Sequence, residues 1–327
     1  GLLKDRTGAE CEILDYDSDF AEEIILSGGK IGALIKPSSG GNILELDYKP
    51  LGFNLTNVMT RREESYHKGL NPAKTPDQQD SGGKVKTIHE LHVSKEEGLG
   101  KFLVYDRYPR NSFITRLLHP ETGIEAFEGQ TYEEYGSFSR GRYNYQKECS
   151  SRDGGNCGII LARAGNIAPD GRRNHAELVK TITLRGGGDV LSLSAALESK
   201  EPLNFDFLFA VEFNFTLLAG NDPSRFYRIK GLDLTAEDKM MNSRGVFGSV
   251  DHVIFEDHWQ FLRVTLRADE PLDFWRYPIE TVSMSEGGSE RTYQGFCLTA
   301  VKRIRAGNGT RHVLNLSLIF DNFGAEK

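Results

Sequence analysis

The sequence predicts an all-β chain, one large antiparallel β-sandwich with few short helices, and three observations carry that prediction. Glycine accounts for 35 of the 327 residues and falls repeatedly between short runs rich in Val, Ile, Leu, Phe and Thr, the punctuation of hairpins. Within several runs apolar and polar residues alternate with the period of two expected when one face of a sheet packs inward. No Pro-rich linker, sequence repeat or low-complexity tract separates the runs, so they belong to one large sandwich rather than to two small ones.

In chain order, EEIILSGGKIGALIKP reads as two strands joined at Gly28-Gly29, and NILELDYKP follows as a third. HAELVKTITL and VLSLSAAL flank a second Gly-rich turn, Gly186-Gly187-Gly188-Asp189; in the latter strand Leu191, Leu193 and Ala195 alternate with Ser192 and Ser194. FLRVTLR directs Leu262, Val264 and Leu266 one way and Arg263, Thr265 and Arg267 the other. VLNLSLIF does the same with Leu314, Leu316 and Leu318 against Asn315 and Ser317. Helix is predicted at only two places, residues 94–103, where Ser94 with Glu97 three positions on forms a capping box, and a short piece at 235–241. KGLNPAKTPDQQDSGGK, residues 68–84, reads as one long polar, mobile loop.

The net charge of -7 argues against a general nucleic-acid or anionic-membrane partner, which would meet a basic face. No run approaches the roughly 18 apolar residues of a membrane helix, and the first residues do not lead from a basic into an apolar stretch, so the chain is read as soluble and cytoplasmic. It begins at Gly1 rather than Met, and is expected to be a piece of something larger. Cys11, Cys149, Cys157 and Cys297 form no CxxC pair, which speaks for reduced thiols; Cys149 and Cys157 flank a hairpin turn, yet free thiols are the preferred reading.

The segments NILELDYKPLGFNLTNVMTRREESYH, VSKEEGLGKFLVYDRYPRNSF, VEFNFTLLAG and FWRYPIETVSMSEGGSERTYQG, in this order, resemble the carboxy-terminal domain of glycoside hydrolase family 57 enzymes of the 4-α-glucanotransferase and α-amylase type. The resemblance runs from about residue 15 to residue 322. It implies a galactose-mutarotase-like supersandwich over residues 15–327, preceded by a linker at 1–14 from missing amino-terminal domains. Those domains would be a catalytic barrel, carrying the two reacting carboxylates, and a helical bundle. The implied role is a noncatalytic accessory domain, with the barrel, the helical domain and an α-glucan as partners and no catalytic residue in this chain.

Asp15, Asp17 and Asp19 of DYDSD could converge oxygen ligands on a hard cation such as Ca²⁺, the one cofactor the sequence offers. The EF-hand template fails at Phe20 and Leu26, and a solvated acidic linker is the preferred reading. His89 and His92, three apart on a strand, point to opposite faces and cannot share an ion. Arg61 and Arg62 of TRREESYH read either as an exposed mixed-charge face or as a docking surface.

The densest chemistry lies in WRYPIETVSMSEGGSERTYQG. As a strand it sends Trp275, Tyr277 and Ile279 to one face and Arg276 and Glu280 to the other, with Pro278 marking an edge or a bulge. The returning strand carries Arg291 and Tyr293 on a common face, and Glu286 sits in the turn between. Aromatic, carboxylate and guanidinium groups together serve sugar recognition and protein interfaces alike, and three readings stand: interdomain interface, glucan contact, or local bracing of the turn. The hairpin is expected to present Arg276, Glu286 and Arg291 outward. Two further functions compete with the accessory role. One is a stand-alone mutarotase-like epimerase using His92 or His252 with Glu280; the other is a purely structural or oligomerising module.

Overall fold

The computed structural model describes residues 8–70, 98–150, 155–285 and 288–324. Every pairing is antiparallel, and the strands form two sheets. The smaller has five in sequence order: β1 (Glu10–Leu14), β2 (Glu23–Ser27), β3 (Ile31–Lys36), β4 (Asn42–Tyr48) and β5 (Phe53–Asn54). The larger has eleven: β6 (Ile114–Leu118), β7 (Asn144–Cys149), β8 (Cys157–Ile167), β9 (Asn174–Leu184), β10 (Val190–Ser199), β11 (Phe207–Phe215), β12 (Arg225–Arg228), β13 (Gly245–Asp257), β14 (Leu262–Ser285), β15 (Gly288–Ile304) and β16 (Arg311–Asn322). Its order is β6-β11-β15-β14-β16-β10-β9-β8-β7, with β13 and then β12 branching from β14.

The inward faces are the ones the alternation marks. Leu191, Leu193 and Ala195, Leu262, Val264 and Leu266, and Leu314, Leu316 and Leu318 all enter the main core, where they meet Ile24, Leu26, Ile31, Ile35, Leu46 and Tyr48 of the small sheet. The two glycine turns press together there: Gly188 adopts φ +71°, and a Cβ on it would stand 2.7 Å from the amide nitrogen of Gly29. β11, by contrast, is buried at all nine positions. Its odd-numbered residues from Phe207 to Phe215 face the main core, while Leu208 and Ala210 face a second core on the opposite side of the large sheet. That second core holds Trp275, Tyr277, Ile279 and Cys297, roofed by Ile124 and Phe127 of a five-residue helix α1 (Ile124–Glu128) and by Tyr132.

Three local expectations are corrected. Residues 235–241 form one turn, pinned where the Thr235 hydroxyl accepts the Asp238 amide, too short for a helix. Residues 99–102 are a single 3-10 turn, and the predicted cap at Ser94 lies outside the described residues. Cys149 and Cys157 are bonded, because they close the β7–β8 ladder as directly opposed residues; among the described residues Cys11 and Cys297 are the buried free thiols. Much of the 68–84 loop, and both His89 and His92, also lie outside the described residues. No described helix is long and apolar enough to cross a membrane.

Candidate functional site

Residues of TRREESYH and of the β14–β15 hairpin, far apart in sequence, are brought together. Residues 59–67 and 102–105 fold against residues 280–283 of β14 and enclose a small cavity of about 70 Å³. His67 is the buried pin. Its Nδ1 accepts the Glu64 amide at 3.0 Å, which leaves the proton on Nε2 to donate to the Val282 carbonyl at 3.0 Å. Tyr66 donates its hydroxyl to the same carbonyl, and the Tyr105 hydroxyl lies 3.2 Å from Nδ1.

Beneath this surface runs a buried chain of charges. Arg61 pairs with Asp106 at 2.7 Å, Asp106 with Arg110 at 2.5 Å, Arg110 with Glu212 at 3.3 Å, Glu212 with Arg116 at 2.7 Å, and Arg116 with Glu134 at 3.4 Å. Three guanidiniums alternate with three carboxylates, so the network closes neutral while every member stays buried. Burial alone would push the Glu212 carboxyl up, yet the Arg116 and Arg110 guanidiniums outweigh it and hold it below the ordinary glutamate range. Asp106 is held down in the same way. The network fixes residue 61, and with it the backbone that presents Arg62.

The sequence-predicted contact residues divide by burial. Trp275 and Tyr277 are interior, and Tyr277 receives a hydrogen bond from Arg110 Nη1 at 3.0 Å. Arg276, expected to face outward, is 2% exposed: it donates to Asp238 at 2.5 Å and Ser243 at 3.0 Å, and its guanidinium stacks over Phe247 at 4.0 Å. Burial lowers its pKa. It is buried because β13 pairs alongside at Gly245↔Arg276 and residues 238–243 cover it. That pairing ends two residues before Pro278, which lacks an amide proton and so sits where β14 has no β13 neighbour; a register shift follows between Ile279 and Glu280. Arg61 is interior as well. Tyr293 packs against Gly220, and burial raises its phenol.

At the surface remain Arg62, Glu280 and Arg291. Arg291 donates to Glu280 at 3.3 Å and lies over the Phe102 ring at 4.4 Å. Exposed Met59 and Phe102 line the same cavity as Arg62 and Glu280, and exposed Met284 follows Ser283 of that lining along β14. Glu286 lies outside the described residues.

Asp15, Asp17 and Asp19 do offer oxygens within 4.8 Å of one another. A cation from the chain itself is already there: Lys36 Nζ lies 2.6 Å from Asp17, 2.7 Å from Asp19 and 3.1 Å from Glu23. Asp15 is engaged by the amides of Asp19 and Phe20. His252 and Glu280 are not brought together. His252 opposes Arg267 on β14, and Glu280 lies thirteen residues further along that strand, past the irregularity that sets Leu272 opposite Val250 and the register shift at Ile279/Glu280.

Sequence reasoning passed over Trp259, 77% exposed on the β13–β14 turn. The available signal was a tryptophan in a tight turn position after Asp257, where small polar residues ordinarily stand.

Two antiparallel sheets packed in this way define a galactose-mutarotase-like β-sandwich. The galactose 1-epimerase of Lactobacillus acidophilus NCFM superposes with a TM-score of 0.54 at 10% identity, over 96% of this chain and 99% of that one. More particularly, the chain belongs to the family described as alpha-amylase/4-alpha-glucanotransferase, C-terminal, which residues 15–315 match. It is 32% identical over 290 residues to alpha-amylase 1 of Dictyoglomus thermophilum and 27% identical over 290 residues to the 4-alpha-glucanotransferase of Thermococcus kodakarensis, in each case over 88% of this chain. The chain spans only 38% of the length of either relative. The structure of the 4-alpha-glucanotransferase of Thermococcus litoralis superposes with a TM-score of 0.70 at 24% identity, over 96% of this chain and 41% of that one.

Proposed function

We propose that this chain is the noncatalytic accessory part of a glucan-processing enzyme and packs against that enzyme's catalytic remainder through the surface around Arg62, Phe102, Met284 and Arg291. One observation carries the reading: exposed Met59, Phe102 and Arg62 line one cavity, Arg291 lies over the Phe102 ring, and Met284 follows along β14, on a backbone tethered by His67 and the Arg61–Asp106 pair. Methionine, aromatic residues and arginine concentrate at protein interfaces, and a preorganised surface loses little entropy on docking. The relatives' greater length supports a partner of this kind, since more than half of each lies outside the matched region. The placement of His252 away from Glu280 gives that pair no support as the acid and base of a stand-alone epimerase, while His92, the other candidate, lies outside the described residues.

The test joins activity to association. The chain alone is expected to show no disproportionation of maltotriose, and activity above the buffer blank overturns the accessory reading. In the longer polypeptide, expressed as two pieces, Arg62→Glu with Met284→Asp is expected to weaken association about tenfold or more while leaving this chain's melting temperature unchanged. Unaltered association moves the docking surface elsewhere.

A further inference from the structure

We infer that the turn carrying Trp259, together with the adjoining cleft along β12, is a binding site for α-1,4-glucan, remote from the docking surface. The inference rests on the reading of the chain as part of a glucan-processing enzyme.

The turn is built rigidly. Asp257, fully buried, accepts the amides of Trp259 and Gln260 on one oxygen at 2.8 and 3.0 Å, and its other oxygen receives Arg225 Nε at 2.9 Å. The His258 amide is tied to the Ser224 carbonyl at 2.8 Å. Phe261 is held at φ +56°, with its carbonyl accepting the Phe323 amide and its ring against Gly324, where a Cβ would stand 2.5 Å away. A left-handed phenylalanine is costly and persists only where its surroundings fix it. Trp259 is therefore an exposed indole on a backbone with no freedom to bury it.

Rings continue from the turn into a cleft. His258 lies 5.0 Å from Phe323 and 4.9 Å from Phe226. Phe226 in turn lines a cleft of about 570 Å³ with Arg228, Lys230, Leu232, Asp233 and Lys239, a volume within the range of small-ligand sites. The charges around the turn are matched inside the chain: Glu256 pairs with Arg263 at 2.7 Å, His258 at 2.8 Å and Arg228 at 3.6 Å, and Arg263 reaches Asp321 at 3.0 Å. A turn whose charges are compensated among themselves, beside exposed rings, suits a neutral polyhydroxyl ligand whose apolar ring faces stack on aromatics, with Lys230, Asp233 and Lys239 of the cleft placed to hydrogen-bond its hydroxyls. Trp259 and the hairpin tip lie at opposite ends of the 24-residue β14, so glucan held here leaves the docking surface free.

The structure supplies its own optical probe. Of the two tryptophans, Trp275 is buried and Trp259 exposed, so maltoheptaose titrated into the full chain should perturb the Trp259 fluorescence, with calorimetry measuring the affinity. Trp259→Ala is expected to weaken binding about tenfold or more and Trp259→Phe to restore part of it. Arg228→Ala, a second variant at an exposed position, should also weaken it, whereas Arg62→Glu should not. No binding of maltoheptaose, or binding that Trp259→Ala and Arg228→Ala leave unchanged, overturns the inference. So does a Trp259→Ala variant that loses association with the rest of the enzyme instead, since the turn would then be a protein contact. None of these results touches the docking test, which reads a different surface.

Discussion

Replacing Glu212 by Gln isolates the charge of the buried network without changing its shape. The carboxylate faces Arg116 Nε at 2.7 Å and Arg110 Nη1 at 3.3 Å, and Asn214 donates to it at 3.0 Å. The amide keeps the volume but leaves two buried guanidiniums short of one negative charge, a change that costs about 3–5 kcal/mol. With an unfolding entropy of about 2.1 cal/mol/K per residue, a chain of this length loses about 0.7 kcal/mol per kelvin, so the melting temperature should fall by about 4–7 °C at pH 7. The pH dependence has a definite sign. The folded pKa of Glu212 is lowered, so its charge stabilises the fold above the unfolded value near 4.5, and that stability is lost as the pH falls through the folded value. The gap between the two proteins should thus be widest at neutral pH and narrow below about pH 4.5. Calorimetric melts from pH 7 to pH 3.5 measure it. A gap under about 1 °C at pH 7, or one that is unchanged at pH 3.5, refutes the assignment of a stabilising role to this charge.

Millimolar Ca²⁺ should leave the melting temperature unchanged, because Lys36 already compensates Asp17 and Asp19; a rise of several degrees would show that the ion displaces the lysine. Reducing Cys149–Cys157, a bridge of sequence separation 8, should cost about 2.5 kcal/mol by loop-closure entropy and lower the melting temperature by about 3–4 °C; a scan unchanged by reductant would deny the bridge any such role. Lys180 is fully buried and donates to Phe113 O at 2.6 Å and to Gly40 O and Asn42 Oδ1 at 3.0 Å each. Lys180→Met leaves those oxygens without their donor and should cost about 1–3 kcal/mol, whereas a higher melting point in the variant would show the buried amine to be a net liability.

The strands buried on one face were legible because their alternation is a local property. VLSLSAAL and VLNLSLIF announced which residues face inward, and the registers agree. FLFAVEFNF was harder, since with both faces covered the period of two carries no sign of which side is which. Glu212 and Asn214 are polar residues within that otherwise apolar run. Their partners Arg110 and Arg116 lie about a hundred positions earlier, and no local pattern couples the two. Helix α1 escaped because five residues are too few to show a period. In the hairpin, simple parity divided Trp275 from Arg276 correctly, yet it could not show that both faces are covered. Whether the acidic triplet meets a cation was equally hidden, for Lys36 comes from a strand that the sequence shows only as GALIK.

β16 lies between β10 and β14, and apart from it the large sheet would be two separate ribbons, β6-β11-β15-β14 and β10-β9-β8-β7. Its partners are distant in the chain, with Asn315 opposite Ser194. During synthesis both ribbons therefore emerge before the strand that joins them, each with a bare edge of unpaired backbone groups. The sandwich can close only after residues 311–322 have left the ribosome, and until then those two edges are the places most exposed to mispairing with other chains.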